Sequence, residues 1–179
     1  MVLGVDKLLE LVHEQKLVED LCERELTNPE GTGFDLRVGE FFKIKGDGYL
    51  GETERKTCEI ESVSRYEAGR TKFIDFKPGE FYLFKTIEKV NMPDNLVATF
   101  LPRTTLQRMG IFFRASQASP GYSGELTFAL ANMGPCTVKI ELGARLCHVI
   151  FHEVKGKTHL YRGQWQGGRV TTGSQEVQI

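Results

Sequence analysis

The sequence predicts a mainly β domain preceded by one amphipathic helix. Helical periodicity is confined to the N-terminus, and short apolar or alternating runs broken by Gly and Pro follow from about Gly33. Nothing alternates strand with helix in the βαβ manner. In order, residues 5–22 read as one helix: Leu8, Leu9, Leu11 and Val12 share a face, and Asp6 sits where an N-cap belongs, with Val5 before it. Asn28-Pro29-Glu30-Gly31 ends that character. Residues 46–70, polar and dotted with glycine, read as a long surface excursion. Strands are expected over 80–90, 96–101, 125–132, 137–142 and 145–153. Lys77-Pro78-Gly79-Glu80 has Pro and Gly where a type II turn wants them, and Met133-Gly134-Pro135 separates two strands. From Tyr161 onward Gly, Gln and Thr leave little to build a core, so residues 1–160 are expected to form one domain and 161–179 a flexible arm.

Composition narrows the function. The 179 residues carry a formal net charge of -1, which argues against a generic nucleic-acid or anionic-membrane surface. No run approaches the roughly 20 apolar residues of a membrane span. The N-terminal segment interleaves acids and bases with its apolar positions, as a signal peptide would not. The four cysteines, Cys22, Cys58, Cys136 and Cys147, have no CxxC spacing and read as free thiols of a cytoplasmic protein.

Five segments carry residues suited to chemistry. Leu101-Pro102-Arg103-Thr104-Thr105-Leu106-Gln107-Arg108-Met109-Gly110 follows a strand, and its hydroxyls and guanidinium groups suit phosphate oxygens. The same residues also read as a helix cap, since Thr followed three positions later by Gln makes a capping box. Gly33-Phe34-Asp35-Leu36-Arg37-Val38-Gly39 places an acid between apolar neighbours, where it can hold a cation or water, or pair with Arg37. Ala115 to Asn132 is a tight turn feeding a strand whose alternation puts Glu125, Thr127, Ala129 and Ala131 on one face. His148 and His152 share a strand face about 13 Å apart, too far for a common metal. Lys155, Lys157, Arg162 and Arg169, interleaved with Tyr161 and Trp165, have a composition that can stack on nucleobases, but a closing arm is the reading favoured.

Taken in order, these segments resemble the dUTPase/dCTP deaminase superfamily. GFDLRVG is similar to its G-x-D-L-x-x-G motif, PRTTLQRMG to PRSSLARxG, and SPGYSGELTFALAN to D-P-G-Y/W-x-G-x-[LI]-T-x-x-[LV]-x-N. GARLCHVIF resembles G-x-x-[IL]-x-[QH]-L-x-F, and YRGQWQGGRVT the C-terminal Y-x-G-K-Y-Q-G-Q-x-G-V-T arm. The N-terminal helix, the length and the LCHVIF strand are most similar to the deaminase branch, which includes the short archaeal-type dUTPases. The resemblance implies a distorted, jelly-roll-like β-barrel of dUTPase type, a homotrimer with nucleotide sites between subunits, and a mobile arm over each. It implies phosphate contacts from Arg103, Thr104, Thr105, Arg108 and His148. Asp35 would lie near a magnesium-bound triphosphate, Ser116, Gln117, Ser119 and Tyr122 would meet sugar and base, and Gln166 and Arg169 would arrive with the arm.

Two positions depart from the pattern. Ser119 stands where the family carries the water-activating aspartate, and a serine holds its proton too tightly to act as a base near pH 7. Ala129 stands where deaminases carry the glutamate that shuttles protons at the ring, and Glu125 lies about 13 Å along the strand from it. Gln117 replaces an arginine as well. The resemblance then implies one of three things: a dUTP diphosphatase with a relocated base (Asp35 or an acid of a neighbouring subunit), a binding protein without turnover, or a dCTP deaminase.

Overall fold

The computed structural model describes residues 1–178. Its helices are α1 (Val5–Gln15), α2 (Glu23–Thr27) and α3 (Thr104–Arg108). The strands are β1 (Val18–Glu19), β2 (Gly33–Lys45), β3 (Tyr49–Leu50), β4 (Glu54–Lys56), β5 (Glu59–Arg65), β6 (Phe73–Phe76) and β7 (Phe81–Asn91). They continue with β8 (Leu96–Pro102), β9 (Ile111–Arg114), β10 (Ser123–Asn132), β11 (Val138–Glu141), β12 (Arg145–Glu153) and β13 (Glu176–Val177). The largest sheet runs β8-β12-β2-β7-β10-β9, with β1 added to β7 and β5 to β2. Its two edges nearly meet, because an Ala98–Ala118 bridge ties β8 to the chain just beyond β9. The result is mainly β and barrel-like.

The N-terminal helix is shorter than its periodicity predicts. Lys16 adopts φ 54, its backbone N–H bonds back to Leu11 and Val12, and the helix stops there. Leu17 and Val18 are then buried, Val18 pairing with Val90 of β7, so an apolar run that continues the helical face becomes a strand edge. Asp6 does not cap: Gly4 holds the N-cap position without a side-chain bond, and Asp6 lies in the first turn, where its charge suits the helix dipole. A second correction falls on Thr104 and Gln107. Arg103 is the N-cap of α3 and no side chain caps it, so no capping box forms.

The five expected strands are present with ends shifted by a residue or two, and the Lys77–Glu80 turn closes through Glu80 N–H to Lys77 O with Gly79 at φ 80. Residues 46–70 are largely exposed but not irregular, since they carry β3, β4 and β5. The tail is likewise engaged, β13 pairing with β4. The core is aromatic. Phe84, Phe100 and Phe113 all pack on Phe128 with ring centroids 4.9–5.3 Å apart.

Where β2 and β12 pair, a Cβ at Gly33 would lie 1.8 Å from the Val149 carbonyl oxygen. Gly33→Ala must therefore separate the two strands that hold Asp35 and His148. Its expected cost is about 3 kcal/mol or more, read from urea unfolding.

Candidate functional site

Two groups of predicted residues assemble at different places on the chain. The first is an ionic cluster where β2, β12 and the β8–α3 junction meet. Strand pairing sets His148 opposite both Asp35 and Leu101, which brings the β12 imidazole, the β2 carboxylate and Arg103 together. Asp35 Oδ1 accepts from His148 Nδ1 at 2.9 Å, and Oδ2 accepts from Arg145 Nη1 at 3.1 Å and faces Arg103 Nε at 3.2 Å. Burial by itself would raise the Asp35 carboxyl. The hydrogen bond from His148 and the charges of Arg103 and Arg145 outweigh it and hold the group below its ordinary value.

Glu25 lies beneath this pair, its side chain 1% exposed. It accepts the Asp35 backbone N–H at 2.8 Å and ion-pairs with Arg24 and, at 3.4 Å, with Arg145. Cation and anion thus alternate, with Arg145 Nη1 bridging both carboxylates. Thr104, Thr105 and Arg108 stand exposed on α3 beside the cluster. Arg24 also pairs with Glu30 at 3.1 Å, so three arginines meet three carboxylates, and the groups left to suit an oxyanion are Arg108 and the two hydroxyls of α3 beside them. His152, further along the same face of β12, meets Thr99 Oγ1 at 2.9 Å.

The second group lines a cavity of about 480 Å³. Ser116, Gln117, Ser119 and Tyr122 come from the turn, Leu126, Thr127 and Phe128 from β10, and Tyr161, Trp165, Arg169 and Val170 from the tail. Tail and turn fit closely. Tyr161 N–H donates to Pro120 O at 2.7 Å, and the Tyr122 and Tyr161 rings meet edge to face at 5.4 Å. Gln166 clamps the turn with both ends of its amide, donating to Gly121 O at 3.1 Å and accepting from Ser123 N–H at 3.3 Å. A Cβ at Gly124 would lie 2.5 Å from Gly168 N, so only glycine lets the tail come this near. Burial pushes the Tyr122 hydroxyl up to about 12, and it donates to Glu125 O.

Arg169 does not stand free in this cavity. It donates to the carbonyls of Thr171 and Thr172 and to Glu176 Oε2 at 2.9 Å. Glu176 also takes Arg55 Nε at 3.1 Å, and the two guanidinium carbons lie 4.8 Å and 5.9 Å from the Trp165 ring centre. Thr57 adds hydrogen bonds to Thr171 and Thr172. The tail is thereby tied to the 46–70 excursion.

The cavity lining includes none of Asp35, Arg103, Thr104, Thr105, Arg108 or His148. On a single chain the cluster and the cavity are therefore separate. Ala129 is also outside the lining, and no lining residue is a carboxylate. Among the described residues no group of three or more His, Cys, Asp or Glu is placed to hold a metal ion. Among the described residues no helix is long and apolar enough to cross a membrane. All four cysteines are free, Cys147 buried and its thiol raised by that burial.

The sequence reading missed Glu25 and gave Arg145 no role. Glu25 lies outside every motif. Arg145 and His148 are three residues apart, which on a regular strand puts them on opposite faces, but β12 bulges between Arg145 and Cys147. Leu146 and Cys147 both turn inward and the two polar side chains come to one side.

The dCTP deaminase-like family model matches residues 2–154. The chain belongs to this family. A dCTP deaminase, dUMP-forming, from Dictyoglomus thermophilum is 31% identical over 159 residues, 86% of this chain and 81% of that protein. A dCTP deaminase from Pyrobaculum neutrophilum is 31% identical over 174 residues, 96% of this chain and 95% of that one. In fold, the chain resembles the crystal structure of 2'-deoxycytidine 5'-triphosphate deaminase from Agrobacterium tumefaciens, with TM-score 0.65 and 14% identity, covering 86% of this chain and 46% of that protein. The family match spans α1 to β12 and so leaves out the tail, which packs on the cavity all the same.

Proposed function

We propose that the chain binds a pyrimidine deoxynucleoside triphosphate and acts at its phosphate chain in the manner of a dUTP diphosphatase, turning dUTP and water into dUMP and pyrophosphate. The observation that carries this reading is the tail-covered cavity, lined by apolar and neutral polar groups and Arg169 without any carboxylate, on a chain that also gathers arginines and the hydroxyls of Thr104 and Thr105 at one surface. Base and sugar go to Ser116, Gln117, Ser119 and Tyr122. Phosphates go to Arg103, Thr104, Thr105, Arg108 and His148, and Gln166 and Arg169 close over them. Because cavity and cradle do not share a lining, the complete site needs a neighbouring copy, consistent with a homotrimer. Oδ1 of Asp35 is already taken by His148 and Oδ2 by Arg145 and Arg103, so a magnesium ion is better carried by the phosphates than held by this protein. Asp35 orients His148 and Arg103, and its depressed carboxyl is a poor proton acceptor. The acceptor for the attacking water then belongs to a neighbouring copy.

Binding without turnover is a second reading, favoured by Ser119 at the position of the usual acid and by the ion pairs that occupy Asp35. The relatives' names favour dCTP deamination, and the carboxylate-free cavity opposes it. Incubation of pure protein with magnesium and dUTP or dCTP, with pyrophosphate and ammonia followed separately, decides among the three. Pyrophosphate from dUTP without ammonia from dCTP is expected. Tight binding with neither product selects the second reading, and ammonia from dCTP selects deamination.

A further inference from the structure

His148 and Asp35 stand side by side on the outer face of the barrel. Strand register sets the imidazole between Asp35 of β2 and Leu101 of β8, and Leu101 is 52% exposed, so this face looks toward solvent and not into the core. The Asp35 carboxyl, held below its ordinary value, only accepts, so the proton of the 2.9 Å bond between His148 Nδ1 and Oδ1 sits on the nitrogen. The lone pair of the ring is then at Nε2. That atom makes no hydrogen bond among the described residues. It is also not one of the enclosed side-chain atoms without a partner, which are Thr127 Oγ1 and Thr158 Oγ1, so solvent reaches it. Gly33 keeps it uncovered, since a Cβ there would lie 3.0 Å from Nε2.

An imidazole whose Nδ1–H is fixed by a carboxylate and whose Nε2 is bare is set to take a proton from a nucleophile. Asp35 is not, because both of its oxygens are occupied, and the cavity lining holds no carboxylate. We infer that His148 Nε2 is the catalytic proton acceptor for the water that attacks the α-phosphate, with Asp35 as its positioning residue. The inference rests on the diphosphatase reading above and names the acceptor, which belongs to the copy beside the occupied cavity. As the water oxygen bonds to the α-phosphorus, its proton passes to Nε2. The bond from that phosphorus to the bridging oxygen breaks, and its electron pair leaves with pyrophosphate. The imidazolium then returns its proton to solvent. The charged groups that meet the pair are Arg103 before α3 and Arg145 of β12, with Arg24 and Glu25 of α2 behind Asp35 and Arg108 exposed on α3. His152, the other imidazole of β12, is taken by Thr99.

Steady-state hydrolysis of magnesium-dUTP by wild type, His148→Gln and His148→Ala, followed as pyrophosphate release across pH, tests it. Wild-type kcat/KM should rise over the range in which an imidazole loses its proton, about pH 5–8, and level off above it. Glutamine keeps an N–H for Asp35 but takes no proton. In His148→Gln kcat should therefore fall about 100-fold to 10,000-fold with KM within about threefold, and the acid limb should vanish. Alanine opens a gap at the ring, and added imidazole should raise the rate of His148→Ala at least about tenfold, which a misfolded chain would not recover. A His148→Gln kcat within about threefold of wild type, an acid limb that persists in that variant, or a His148→Ala rate that imidazole leaves unmoved overturns the inference. Pyrophosphate release by wild type keeps the diphosphatase reading standing in each of those cases. A wild type that releases none removes the reading and the inference together.

Discussion

Glu25→Ala is expected to cost about 3–5 kcal/mol in chemical unfolding, the scale for removing one partner from a buried charge network. The carboxylate is almost wholly enclosed, and its loss strands the Asp35 N–H, leaves Arg145 with Asp35 alone and takes from Arg24 its buried partner. Glu25→Gln keeps an acceptor for the N–H and should cost less. In both variants the cradle loses the group that holds Arg145, so affinity for magnesium-dUTP should fall even where the protein remains folded. Asp35 adds a pH signature. Its carboxyl lies below the ordinary value in the folded chain, so it contributes stability above about pH 4 that is lost as pH falls through the folded value. Asp35→Asn should therefore flatten the acid limb of the stability profile. An acid limb that stays as steep as wild type's would remove Asp35 from this role.

Trp165→Ala should release the tail while leaving the barrel folded. Trp165 walls the cavity and lies against Arg55 and Arg169, both of which bond Glu176. Its contacts are made to the excursion and the tail, so its loss is a local opening and not a global one. Hydrogen exchange over 161–178 should rise toward that of an open chain, the main melting transition should shift little, and nucleotide affinity should drop about tenfold or more. Glu176→Gln should give a weaker version of the same result. The Glu176 carboxyl is raised by desolvation but brought below its ordinary value by the bonds from Arg169 and Arg55. Its hold on the tail is thus present above about pH 4.3 and lost as pH falls below that.

Much of the site was legible because its residues sit in short contiguous motifs. Arg103 and His148 lie beside or on an expected strand, Asp35 lies in a motif on β2 that no expected strand covered, and strand pairing brings the three together. Ser116, Gln117, Ser119, Tyr122 and Arg169 do line one cavity. What escaped has a local physical cause in each case. Glu25 is one acid on a five-residue helix among acids, and only tertiary contact distinguishes it from its exposed neighbours. Arg145 is hidden by a bulge that breaks the period of two. The ends of α1 and α3 defied their capping signals because backbone geometry at Lys16 and the strand-to-helix turn at Arg103 decided them.

By itself the chain's sequence settled the class of fold, the place of five strands and the residues of two separate polar groups, since periodicity, turn residues and motif spacing are local properties. Tertiary structure decided which charges neutralise one another and which ring nitrogen is left without a partner. It also decided that the tail covers the cavity on its own chain. Those outcomes depend on strand register and on bulges, where a one-residue slip exchanges the faces of every side chain beyond it.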